Sequence, residues 1–154
     1  MFAHEQSEKT SDDYLTPAWV FDVLGLTFDL DVASPPWETH VPALRKFTRA
    51  DDGLSQEWSG LVWMNPPFSQ PDPWVDRFIK HRNGVCLVPM SNGQWFSRLW
   101  QEADGLALPT RISFHFGHHD AGIPMRVLLA AFGDEGCQAL SNFGHVRVLS
   151  FEGS

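Results

Sequence analysis

Apolar positions along this chain follow two rhythms, and the places where one gives way to the other mark its elements. From Thr16-Pro17 the spacing is helical: Trp19, Val20, Val23 and Leu24 share a face, and Gly25 supplies a left-handed stop. Thr16 is expected to cap that helix, with Pro17 in the first position, where a missing N–H costs nothing. Leu26 to Ala33 then reads as a buried strand. A long loop broken by Pro35, Pro36 and Pro42 follows, with a short strand at Phe47-Thr48 before the Asp51-Asp52-Gly53 turn. Leu61 to Met64 is the next strand. Asp72-Pro73 opens a helix with Val75, Phe78 and Ile79 on its apolar face, and Asn83-Gly84 ends it. Val85 to Val88 is apolar without a break, as in a strand covered on both faces. Gln94 to Ala103 is predicted helical, with Trp95, Leu99 and Trp100 facing inward. Strands are predicted at Ile112 to Phe116, Val127 to Phe132 and Val146 to Phe151, and a short helix at Glu135 to Leu140.

Strands alternating with helices predict an α/β sheet with helices on both faces. In such sheets ligands bind beyond the carboxyl ends of the strands. Asp31 and Asn65 both sit at such ends, which favours one shared site over two unrelated turns. With a period of two, Asp29 and Asp31 point to the same face, so at least one must lie at the sheet's end or be hydrogen-bonded. Asp31 reads either as a receiver for the ammonium or ribose of a nucleoside cofactor or as a turn carboxylate. Asp51 and Asp52 have two similar readings, acceptance of a bond from an adenine amino group or a plain turn.

The turn after the Leu61 strand, Asn65-Pro66-Pro67-Phe68, suits methyl transfer to an unactivated planar amino group. The Asn65 amide oxygen can accept one amino hydrogen. The Pro66 carbonyl can accept another, because proline fixes its own φ and restricts its predecessor. Two acceptors pull the nitrogen toward a tetrahedral shape and free its lone pair. Phe68 offers a flat face to a base taken out of its stack. No strong base is needed, since the proton can leave after transfer. The bland alternative is a rigid strand-to-loop turn. Ser34-Pro35-Pro36-Trp37 fits the same pattern, so one of the two strings is incidental.

Composition narrows the class. With 154 residues and 43% hydrophobic content, the chain is expected to form one domain over residues 13–154, after a disordered segment at 1–12. The opening segment is polar and acidic, unlike a signal peptide. The longest apolar run, Val127 to Phe132, is too short to span a bilayer. Cys86 in its apolar run reads as a reduced core thiol, which points to a cytoplasmic setting. A net charge of −8 argues against nucleic-acid binding led by bulk electrostatics. It leaves room for a local basic face at Arg45, Lys46 and Arg49 or at Arg77, Lys80, His81 and Arg82; a solvated edge is the other reading of each. His115, His118, His119 and Asp120 match no structural zinc spacing and read as a loop, so no metal is expected.

Taken in order, Leu15-Thr16-Pro17, Phe28 to Ala33, Phe47 to Leu54, Trp58 to Trp63, Asn65 to Phe68 and Arg111 to Phe114 resemble the phage-type DNA N-6-adenine methyltransferase family. That family belongs to the S-adenosylmethionine-dependent amino-methyltransferases, and the resemblance spans roughly Tyr14 to Phe116. It implies a Rossmann-like methyltransferase fold and transfer of a methyl group from S-adenosylmethionine to N6 of adenine in phage or prophage DNA, within a bacterial cytoplasm. It implies that Asn65, Pro66, Pro67 and Phe68 form the pocket of a flipped target base. Asp31 and Ala33 would hold the methionine side of the cofactor, Thr16 and Pro17 would close over it, and Asp52 would approach its adenine. Ser34-Pro35-Pro36-Trp37 then becomes the incidental string. Two departures stand out: Ala33-Ser34-Pro35 replaces the Gly-rich loop common after the first strand, and Phe68 stands where Tyr is common. The competing readings are methylation of cytosine N4 or a protein glutamine, and a degenerate methyltransferase fold that binds without turnover.

Overall fold

The computed structural model describes residues 15–109, 112–114 and 123–148. In chain order its main elements are α1 (Ala18–Leu24), β1 (Phe28–Asp31), β2 (Ala43–Lys46), β3 (Val62–Met64), α2 (Asp72–His81), β4 (Gly84–Pro89) and α3 (Gln94–Glu102). Then come β5 (Gly105–Leu108), β6 (Ile112–Phe114), β7 (Ile123–Met125), β8 (Val127–Phe132), α4 (Asp134–Leu140) and β9 (His145–Val148). Seven strands pair in the order β2-β1-β3-β4-β8-β5-β9, and β6 with β7 forms a separate two-stranded ribbon. The neighbours from β2 to β4 are parallel, whereas β8 is antiparallel to both β4 and β5, and β9 is antiparallel to β5. The chain leaves β1 on one side for β2 and returns on the other for β3. Such a switch point opens a crevice at the strands' carboxyl ends.

The expected α/β sheet with helices on both faces is what forms. Successive residues of β4 serve opposite faces: Val85 and Leu87 join the apolar cluster that includes Val20, Phe21 and Leu24 of α1 and Leu140 of α4. Cys86 and Val88 join the cluster built with Val75, Phe78 and Ile79 of α2 and Leu99 of α3. Trp63 of β3 is 1% exposed and packs edge-on against Phe21, with ring centroids 4.8 Å apart. The strand leading to Asn65 is thereby anchored from above by α1.

Several local expectations need correction. Pro17, not Thr16, occupies the N-cap of α1, and no side chain caps that helix. The Thr16 hydroxyl faces Asn65 instead. The strand expected at Phe47-Thr48 lies one step earlier, at β2, although Phe47 still donates its N–H to the Asp31 carbonyl at 2.8 Å. β5 was not anticipated. In α3 the buried residues are Phe96 and Leu99, whereas Trp100 is 45% exposed, because the inward stripe is turned one position from the expected one. Period two also breaks inside β1: the amides of Asp29 and Leu30 both donate to the Leu61 carbonyl, at 2.8 and 3.4 Å. Two residues opposite one make a bulge, so Phe28 packs into one cluster and Leu30 into the other. The predicted disordered segment at 1–12, Arg111 and the residues from His115 to Asp120 lie outside the described residues.

Candidate active site

Two strand ends frame the site. At the end of β1, Asp31 is 3% exposed, and its Oδ1 accepts the Ala33 N–H at 3.3 Å. Burial pushes its carboxyl up to about 7, against the opposing pull of the Ala33 bond and the Lys46 charge. Asp29, by contrast, is exposed and accepts the Leu61 N–H at 2.7 Å, so it serves the bulge. Only Asp31 of the pair is free for chemistry at the sheet's end.

Past the end of β3, the Asn65 Nδ2 donates to the Thr16 Oγ1 at 3.2 Å. The amide's other atom, Oδ1, is buried and has no hydrogen-bond partner among the described residues. A buried acceptor left unmade costs about 1–3 kcal/mol, so an orphan of this kind asks for a ligand donor. The turn that follows is closed by the Gln70 N–H donating to the Pro67 carbonyl at 3.2 Å.

A cleft of about 150 Å³ opens here; its walls include Ala33, Pro35, Asp52, Asn65, Pro67 and Trp74. A narrower recess of about 20 Å³ shares Ala33, Pro35 and Asn65 with it and adds Thr16, Asp31 and Trp63. The two spaces meet at Asn65. Ser34 and Pro36 also line the cleft, so the string read as incidental contributes part of its wall. The Ala33 amide bonds Asp31, the Ser34 amide donates to the Phe47 carbonyl at 2.8 Å, and the next two residues are prolines. This turn therefore presents hydrocarbon to the cleft where a Gly-rich loop would present N–H groups.

The opposite rim is a preformed loop. Asp51 Oδ2 accepts the Thr48 N–H at 2.8 Å and its hydroxyl at 3.2 Å, closing a capping box. Asp51 is thus the turn carboxylate, and Asp52, in the left-handed region at φ 54°, is the one that lines the cleft. Trp58 Nε1 donates to the Gly53 carbonyl at 2.9 Å and stacks on Trp74, centroids 6.4 Å apart. Arg77 clamps the carbonyls of Leu54 and Gln56 at 2.9 and 2.6 Å while lying 4.8 Å over the Trp58 ring. His81 Nε2 is 2.8 Å from the Gly60 carbonyl, and Arg82 pairs with Glu102 at 3.7 Å. The second basic cluster is therefore largely occupied inside the protein.

Of the residues singled out from the sequence, Ala33, Asp52, Asn65 and Pro67 come together in the cleft, and Thr16 and Asp31 in the recess. Pro17, Pro66 and Phe68 line neither; Pro66 is buried and Phe68 is half-buried against the α1-side cluster. Trp74, Gly53 and Thr48 were missed. Trp74 had a faint signal, a large aromatic directly beside the Val75 stripe of an amphipathic helix.

Residues 4–132 match the family described as DNA N-6-adenine-methyltransferase (Dam). The chain is 28% identical over 134 residues to the DNA N-6-adenine-methyltransferase of Haemophilus phage HP1, covering 79% of this chain and 76% of that protein. It is 33% identical over 93 residues to the enzyme of the same name from Escherichia phage T1, covering 50% of this chain and 38% of that one. No solved structure matches the chain significantly.

Proposed function

We propose a division of labour from one premise, that this chain belongs to the DNA N-6-adenine-methyltransferase family and shares its reaction, methylation of adenine N6 in DNA. The donor in this reading is S-adenosylmethionine, which supplies an electrophilic methyl group when bound. The chemistry of the cleft fits it. Asp31 offers a buried carboxylate to the ammonium, and Asp52 with the Trp74 ring offers an acceptor and a flat wall to the adenosine end. A turn whose amides are already bonded suits a cofactor without phosphates; a dinucleotide would need free N–H groups there.

The observation that carries the proposal is the orphaned, buried Oδ1 of Asn65, a residue that lines both cleft and recess. In this reading it accepts a hydrogen of the adenine amino group, and the Pro66 carbonyl, which lines neither space here, accepts the other once the pocket adapts around the base. With the cofactor bound, these two acceptors would localise the nitrogen lone pair and direct it at the donated methyl group, and the proton that the amino group gives up would leave to water. The target base reaches this point flipped from its stack, with Phe68 as its resting face once the pocket adapts around it. The natural setting is phage or prophage DNA in a bacterial cytoplasm. No helix among the described residues is long and apolar enough to cross a membrane.

The test is a nucleoside profile of DNA from cells expressing the wild type and Asn65→Ala. N6-methyladenine should rise with the wild type. With Asn65→Ala turnover should fall by about 2.7–4 kcal/mol of transition-state stabilisation, the size seen when one group aimed at developing charge is removed. Cofactor affinity measured by calorimetry should stay close to wild type. Wild-type turnover in Asn65→Ala, or methylation confined to cytosine N4 or protein glutamine, overturns the reading.

A further inference from the structure

We infer that Thr16 is a positioning residue for the reaction: its hydroxyl oxygen accepts from the Asn65 Nδ2 and holds the amide in place, leaving Oδ1 as the acceptor for the substrate amino group. The inference rests on the reading of Asn65 given above. A carboxamide has two nearly isosteric ends, and a half-turn about its last bond exchanges acceptor for donor. A flipped Asn65 would present N–H to an amino group that also donates, and the reaction would lose its acceptor. The only side-chain partner of this amide among the described residues is Thr16, with Nδ2 donating to Oγ1 at 3.2 Å. That bond fixes the amide plane and engages the Nδ2 end, so that Oδ1 is the end left for a substrate donor.

Thr16 is built for that task. Thr16 is 5% exposed and Leu15 before it 7% exposed, so the segment is seated in the protein. Pro17 follows at φ −67° and restricts the backbone of Thr16. The hydroxyl makes no cap to α1; among the described residues it instead accepts from Asn65, across a sequence separation of 49. This explains why a Thr-Pro pair stands ahead of a helix without capping it. It differs from the expectation that Thr16 acts on the cofactor.

Three variants and one spectrum test it. Thr16→Val keeps the shape and removes the acceptor; kcat should fall by about tenfold, the scale of one modest hydrogen bond, with the S-adenosylmethionine Kd unchanged. Thr16→Ser should restore kcat. In nuclear magnetic resonance spectra of the cofactor-free protein, the Asn65 side-chain NH₂ protons should exchange slowly in wild type and Thr16→Ser and rapidly in Thr16→Val. Rapid exchange in the wild type overturns the inference without any variant, which covers the case of a poorly folding Thr16→Val. If Thr16→Val keeps full kcat while Asn65→Ala is inactive, the positioning role fails and the reading of Asn65 stands. If both variants turn over like wild type, the reading itself fails. A raised cofactor Kd with unchanged kcat in Thr16→Val makes Thr16 a cofactor contact and overturns the inference.

Discussion

Asp31 is the residue whose protonation bears on folding and, in the proposed reading, on cofactor binding. Its carboxyl rises to about 7 in the folded protein from an ordinary value of 3.8, with burial as the largest cause. The folded chain therefore keeps a proton that the unfolded chain releases between those two values, and stability falls as pH rises through that window. Asp31→Asn removes the titration. It should raise the melting temperature above pH 7, by the equivalent of a few kcal/mol, and the gain should vanish below about pH 4. Thermal melts at both ends of the window check this. The same variant should lose S-adenosylmethionine, since the charged carboxylate is what an ammonium selects. Calorimetry of the wild type should find affinity increasing with pH through about 7, because the bound ammonium has to recruit the ionised form. A more stable protein that no longer binds its cofactor would identify burial of this carboxylate as a cost of function.

At the scale of elements, what could be read from the sequence follows burial. β4 and β8 are covered on both faces, so their continuous apolar runs announce them; α2 has a full stripe in Val75, Phe78 and Ile79. β2 is an edge strand whose last three residues are exposed, and its Ala-Leu-Arg-Lys sequence gives no alternation to detect. The bulge at Asp29 and Leu30 depends on the Leu61 carbonyl of another strand, so no reading of β1 alone reveals it. The site divides in the same way. Asn65 and Asp31 were legible because strand ends are legible; Trp74 and Gly53 enter through packing across the loop between β2 and β3. Gly53 shows how tight that packing is. A Cβ there would collide with the Val32 carbonyl and crowd the Trp74 ring, whose Cη2 would be 3.2 Å away. Gly53→Ala should therefore destabilise the fold by about 1–3 kcal/mol, as overpacking does. It should also weaken S-adenosylmethionine binding, because the Asp52 rim has to move. Denaturant melts and calorimetry measure the two effects; an Ala variant as stable and as tight as wild type would falsify this account of the rim.

Among the described residues a seven-stranded sheet lies between two apolar clusters, and neither cluster can lose its helices without exposing the strands they share. Unfolding should accordingly be all-or-none. Trp63 reports one face, Trp58 and Trp74 the other, so tryptophan fluorescence and far-ultraviolet circular dichroism should give superimposable denaturant curves; separate midpoints would mean that the faces come apart independently. The fold class was legible at this scale because alternation of strand and helix needs only a rough phase. The strand order was not, since β8 inserts between β4 and β5 against the direction of both. That insertion also sets a timetable for the chain as it is made. Every described residue lining cleft or recess falls between Leu15 and Trp74, so a ribosome delivers the proposed site early. β4 then waits, one apolar edge open, until Val127 to Phe132 emerges to pair with it. At an ordinary pace of synthesis that wait lasts several seconds. During it the nascent protein carries the residues of the proposed site without the sheet that holds them, and displays the kind of naked strand edge that chaperones and aggregates both recognise.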